Sequence, residues 1–174
     1  IISFRCDHSG MHTVSASRMI DAPRSDVWTV LDDFGGVSQY NPNVKTSGII
    51  DGPDTGQGAT RECVFYDGGR IEEKITDYEF ESGYTVDFVD VGYMPLKQNQ
   101  VEITVDEHGE SETMVTMTAT FKPKFGPLGY LMAKVMMESK FRTTFEEVLE
   151  GLESHVRTGQ TVGKDSQMVE TVSD

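Results

Sequence analysis

The chain has 174 residues, 15 basic and 29 acidic side chains, a formal net charge of −14 and 37% hydrophobic residues. That length and composition fit one globular domain of common size. The charge argues against nucleic acid as a partner, because phosphate attraction needs clustered Lys and Arg, and against an anionic membrane surface as a steady one.

Residues 1–11 show no period and read as a loose lead-in. His12–Ile20 is rich in β-formers and reads as a strand. Asp21-Ala22-Pro23 stops it, and Pro23 fits the first turn of a helix, where its missing N–H costs little. Val27, Trp28, Val30 and Leu31 give a short apolar helix face through Asp33. Phe34-Gly35-Gly36 is read as a break. A second short helix, Val37–Tyr40, ends at Asn41-Pro42, because a residue before proline avoids the helical region.

Strands are expected next at Val44–Ile50, Ala59–Tyr66, Arg70–Phe80, Tyr84–Val91, Lys97–Val105 and Thr113–Phe121. Asp67-Gly68-Gly69 between two β-like runs is a hairpin signal. With His12–Ile20 this is a meander of about seven strands. Phe125-Gly126-Pro127 then opens a long amphipathic helix of about 28 residues. Its apolar face is Leu131, Val135, Phe141, Phe145, Val148, Leu152 and Val156. Gly151 inside it is expected to weaken it by about 1 kcal/mol relative to Ala. Residues 158–174 lose the period and read as a flexible tail.

Antiparallel strands with one buried face alternate, and these do. The inward sets are Ile71, Glu73, Ile75 and Asp77; Tyr84, Val86 and Phe88; Asn99, Val101, Ile103 and Val105; and Val115, Met117, Ala119 and Phe121. Only one long helix remains to cover this face. The expected fold is therefore α+β, a helix-grip arrangement of a curved seven-stranded antiparallel sheet around a long C-terminal helix, with two short helices after the first strand. Space left between sheet and helix is a common place for small-ligand sites.

The run Ser17 to Phe34, with Asp21-Ala22-Pro23 and Val27-Trp28 in it, resembles the first strand and helix of the SRPBCC superfamily. That superfamily includes Bet v 1-like proteins, START lipid-transfer domains and polyketide cyclases/dehydrases. Tyr40-Asn41-Pro42, Gly58-Ala59-Thr60-Arg61, Asp67-Gly68-Gly69, Glu73-Lys74-Ile75 and Phe145–Leu152 resemble it too. The likeness spans residues 12–157 and is nearest to the polyketide cyclase/dehydrase-like branch. It specifies the fold well and the activity poorly, because such folds host many functions.

Arg61 shares its predicted face with Ala59, Cys63 and Phe65. Glu73 shares one with Ile71 and Ile75. Two opposite charges pointing inward from neighbouring strands suggest an ion pair, since a buried charge is costly unless paired. The pair is read either as a ligand-recognition device or as a structural unit. Tyr40 borders the cavity expected from the resemblance. Asn99 is the lone polar residue of its inward face. Met117, Met132 and Met136 are read either as plain core filling or as flexible thioethers suited to an apolar guest. The expected lining is thus Tyr40, Arg61, Cys63, Phe65, Glu73 and Ile75, then Val86, Phe88, Asn99 and Val101, with the three methionines.

The function expected is binding of a small hydrophobic ligand, lipid, aromatic or polyketide-like. One alternative is a polyketide aromatase/cyclase or dehydratase, with Glu73 moving protons and Arg61 and Tyr40 stabilising an enolate. Another is a partner-binding module using the Tyr93–Leu96 loop. No nucleophile elbow, zinc-binding His pair or phosphate loop is present, so no cofactor or metal is expected. Cys6, His8 and His12 are loosely spaced like ligands but lack a fourth. Cys6 and Cys63 are too few for a disulfide framework, and reduced thiols point to a cytoplasmic protein. No apolar run reaches the roughly 18 residues needed to span a bilayer, and no signal-peptide pattern stands in the residues present. Oligomeric state and ligand identity are left open.

Overall fold

A computed structural model of the chain describes residues 4–6, 11–90, 96–123 and 127–164. The strands are β1 Phe4–Cys6, β2 His12–Ile20, β3 Val44–Asp51, β4 Thr60–Phe65, β5 Arg70–Glu79, β6 Gly83–Asp90, β7 Leu96–Glu107 and β8 Thr113–Pro123. They form one sheet in the order β1-β2-β8-β7-β6-β5-β4-β3, with every pair antiparallel. The helices are α1 Arg24–Asp32, a 3-10 helix Phe34–Gln39 and α2 Pro127–Thr158. Seven strands match the expected ones. The eighth, β1, lies in the segment read as a loose lead-in and pairs along the edge of β2, Cys6 opposite His12.

Alternation sorts the sheet into two faces. Val14 and Ala16 of β2, Val101, Ile103 and Val105 of β7, and Val115, Ala119 and Phe121 of β8 are buried. The opposite face is polar: the hydroxyls of Ser15 and Thr118 lie 2.9 Å apart, and Gln100 donates to Asp87 at 2.8 Å. α2 covers the apolar face with Phe145, Val148, Leu149 and Leu152, whose steps of three, one and three keep them on one stripe. Arg18 of β2 is bonded to Glu153 of α2, which helps fix the helix on the sheet.

One expectation of parity fails. A register shift between Ile75 and Asp77 inserts a bulge in β5. The extra residue turns Asp77 out to solvent and brings Tyr78 against the core. The second short helix also begins earlier than expected. Phe34-Gly35-Gly36 does not break the chain but is the first turn of the 3-10 helix, held by the fully buried Phe34.

α2 ends at Gly159, which takes φ +67 and donates its N–H to the His155 carbonyl at 2.7 Å. Such a left-handed closing residue is natural for glycine. Residues 159–164 then run back along the 3-10 helix: Val162 N–H donates to the Gln39 carbonyl at 2.8 Å. This part of the segment read as a flexible tail is therefore docked. No helix is long and apolar enough to cross a membrane among the described residues.

Candidate functional site: a cavity under the long helix

The site grows from a cross-strand pair. β4 and β5 are joined by Asp67-Gly68-Gly69, where Gly68 takes φ +87 and Asp67 Oδ1 accepts the Gly69 N–H at 2.9 Å. That turn sets the register, which places Arg61 directly opposite Glu73. Both side chains point to the inner face and both are buried. Arg61 Nε donates to Glu73 Oε2 at 2.6 Å, and Arg61 Nη1 donates to the Phe34 carbonyl at 2.8 Å. The guanidinium carbon also stands 4.0 Å from the centre of the Phe34 ring. The 3-10 helix thus caps the cation from above while Glu73 holds it from the side.

Neighbouring groups complete a polar patch. Cys63 Sγ lies 3.6 Å from the same Glu73 oxygen, close enough for the thiol to donate. Burial, then the Glu73 carboxylate, push this thiol up to about 12, so it stays protonated. Tyr40 and Tyr84 have buried hydroxyls whose pKa values are raised, first by burial; for Tyr40 the Arg61 charge opposes this. The Tyr84 hydroxyl sits near that of Tyr40 but short of a well-formed hydrogen bond. Burial by itself disfavours the Arg61 charge; Glu73 first, then Cys63, Tyr84 and Tyr40, together outweigh it, and the guanidinium stays ionised.

This patch forms part of the wall of a cavity of about 620 Å³ between the sheet and α2. The rest of the wall is mostly apolar: Val86, Val101, Ile103, Val115 and Met117 from the sheet, and Phe141, Phe145, Val148 and Leu149 from α2. Towards solvent the rim is made by Asn41-Pro42-Asn43, the β4–β5 hairpin, Lys140 and Thr144 of α2, and Lys164. The Lys164 ammonium lies 5.5 Å from the Tyr66 ring, so the docked C-terminal segment meets the hairpin beside the mouth.

A cavity walled by one curved antiparallel sheet and one long helix invites comparison with ligand-binding families. The family model for polyketide cyclase/dehydrase and lipid transport proteins matches residues 11–157. The chain belongs to this family. Solved structures share its fold. XoxI from Bacillus cereus superposes with a TM-score of 0.70 at 20% identity, covering 84% of this chain and 96% of that one. Norcoclaurine synthase from Thalictrum flavum, as a point mutant with a transition-state analogue, gives 0.68 at 15% identity, with 91% and 99% covered. Ara h 8.0201 gives 0.62 at 18% identity, with 86% and 99% covered. At these identities the likeness is one of fold. No curated protein matches the chain.

Within this polyketide cyclase/dehydrase and lipid transport fold, most of the residues picked from sequence meet at one place. Tyr40, Arg61, Cys63, Phe65, Glu73, Val86, Phe88, Val101 and Met117 all line the cavity. Ile75 is buried in the core but does not reach it. Asn99 is buried on its inward face, as read, yet lies outside the lining; its amide oxygen and nitrogen have no hydrogen-bond partner among the described residues. Met136 is 69% exposed on the outer side of α2, and the adjacent Met137 takes the lining position instead. Met132 lies on α2 where side chains fall outside the described residues; of the Tyr93–Leu96 loop, residues 93–95 also fall outside them, and Leu96 begins β7. Trp28 is core, packed among Tyr78, Phe80 and Tyr84.

Sequence reading missed Lys140, Arg70 and Lys164, because exposed cations carry no periodic signal. Cys6 of the loose Cys6, His8, His12 set is on β1 opposite His12, and His8 lies outside the described residues. Among the described residues no three His, Cys, Asp or Glu side chains gather as metal ligands.

Proposed function

We propose that the protein binds one small, largely hydrophobic molecule in the cavity between its sheet and α2. The observation that carries this is the cavity itself: about 620 Å³ of space, walled mainly by Val, Ile, Phe, Leu and Met. Ligand pockets commonly fall in the range of roughly 300–1,000 Å³, apolar with a few placed polar groups. Well-packed cores hold few voids larger than a water molecule, so unfilled space of this size has a cost. A guest offsets that cost by burying apolar surface on both sides. Tyr40 is the polar group at the inner wall best suited to orient the guest, since its hydroxyl sits on an amphipathic ring.

Binding is a better reading than turnover. Glu73 Oε2 is held by Arg61 and faces the Cys63 thiol, so proton transfer through that oxygen competes with the ion pair. Arg61 is likewise engaged, through Nε with Glu73, through Nη1 with the Phe34 carbonyl and over the Phe34 ring. A cyclase or dehydratase activity using these bonded atoms would require the pair to open.

Native mass spectrometry of the freshly purified protein tests the reading. The expected result is an adduct of one small molecule that is released on denaturation and partitions into organic solvent. Its structure also separates carrier from catalyst, since a cyclised polyketide points to turnover and an unchanged lipid to carriage. A protein that emerges without adduct and takes up no apolar compound on incubation overturns it.

A further inference from the structure

The cavity has two ends of different electrical character. Deep inside, the charges of Arg61 and Glu73 cancel, and the guanidinium donates through Nε to Glu73 and through Nη1 to the Phe34 carbonyl. At the mouth stand Arg70, Lys140 and Lys164, contributed by the hairpin, α2 and the C-terminal segment, all exposed. Among the described residues the one acid at the rim is Asp67, whose Oδ1 accepts the Gly69 N–H. Arg70 has a loose surface partner in Glu62 at 3.3 Å. Among the described residues neither Lys140 nor Lys164 makes an ion pair.

This is the reverse of the molecule as a whole. The chain holds 29 acids for 15 bases, so three cations gathered around one acid run against its overall charge. Two lysines and an arginine at the rim of one apolar cavity form a local positive collar in a negative field. A low-dielectric wall beside charges of one sign concentrates their field at the opening. The deep end offers a guest no net charge, and the mouth offers it a positive one.

We infer that the ligand is an amphipathic anion: an apolar body in the cavity with one carboxylate or phosphate head held at the mouth by Lys140, Lys164 and Arg70. The inference rests on the cavity being a ligand site and adds which chemistry that site selects. The apolar tail displaces the void under α2, and the head stays half-solvated among flexible cationic side chains. The ammonium groups need move little, since Lys164 is already stationed beside Tyr66 at the mouth.

Calorimetric titration of the full chain with decanoate, decyl phosphate and decanol tests this at low and at molar salt. At low salt the anions are expected to bind roughly tenfold tighter than the alcohol, the sum of a few exposed charge contacts. In molar salt, where screening falls to about 3 Å, that gap closes. A variant carrying Arg70→Gln, Lys140→Gln and Lys164→Gln is expected to bind the anions no better than the alcohol. If wild-type protein binds all three equally, or the variant keeps the preference, the head-group assignment is wrong while the cavity reading stands. If none binds, both fall.

Discussion

At the scale of single residues, the Arg61–Glu73 pair decides most. Taking two charges out of water is costly, and their attraction repays that only with good geometry and further hydrogen bonds. Here the cation gains the Phe34 carbonyl and ring as well as the carboxylate. Glu73→Leu or Arg61→Met alone is expected to destabilise the protein by about 3–5 kcal/mol, because each strands a buried charge. The double variant Arg61→Met, Glu73→Leu is expected to lose far less than the sum, and urea unfolding of the four proteins measures the coupling. Additive losses would mean that the two charges do not sense each other. The pair was legible in the sequence because alternation in two adjacent strands put an Arg and a Glu on the apolar face. Its cap was not, since Phe34 sits in a stretch whose glycines read as a break.

Cys63 gives a second residue-scale expectation. Its thiol is raised from 9.0 to about 12 in the fold, first by burial. Above pH 9 the unfolded chain therefore gives up this proton while the folded one keeps it. The folded state binds more protons, so stability falls as pH climbs through that window and is fully present below it. Buried Tyr40 and Tyr84 act in the same direction from 10.0 upward. Denaturant unfolding at pH 8 and pH 10.5 is expected to show an alkaline loss, with a shallower slope in Cys63→Ala. At pH 8 iodoacetamide is expected to label the folded thiol slowly and the unfolded one fast. Equal labelling rates would contradict the burial of this group.

At the scale of elements, Gly151 illustrates what a sequence pattern conceals. Helix propensity alone marks it as a weak point of α2, to be improved by alanine. In the fold a Cβ on Gly151 would stand 2.1 Å from the Tyr40 carbonyl oxygen and 3.4 Å from Pro42. The glycine lets α2 touch the end of the 3-10 helix, and that contact holds Tyr40 and Asn41-Pro42-Asn43 at the cavity. Gly151→Ala is thus expected to destabilise, by about 1–3 kcal/mol as for other overpacked sites, and thermal unfolding reads the sign directly. A gain in Tm would show that the helix shifts away without penalty. The same scale explains the other misreadings. The β5 bulge changes the parity of Asp77 and Tyr78, and no residue type announces a bulge. Met136 and Met137 are equivalent in composition, and only the rotation of the helix on the sheet separates them.

At the scale of the whole molecule, the acidity and the cavity are independent features on opposite sides of one sheet. Residues 51–112 hold 16 acids and four bases. Glu62, Glu72, Asp87 and Glu102 there alternate with the buried residues and face outward. The outer face keeps the protein hydrated, and the inner one is free to be apolar. Strand order, helix grip and the inward residues were readable because period-two alternation is a local property. Cavity and core were not separable, because both are walled by the same apolar residue types: Ile75 and Val86 are equally buried, yet only Val86 meets the open space. Whether space remains depends on how α2 lies over the sheet, which no local pattern states.

The central claim is that this space is a ligand site, and filling it from within is the most direct test. Val148 of α2 and Val86 of β6 are buried lining residues from the two walls. Fluorescence titration with the neutral apolar probe N-phenyl-1-naphthylamine compares wild-type protein with Val148→Phe and Val86→Phe, each checked for native circular dichroism. The wild type is expected to bind one probe saturably, and a folded, filled variant to bind it at least tenfold more weakly. Unsaturable binding by the wild type, or unchanged affinity in both folded variants, would contradict the claim.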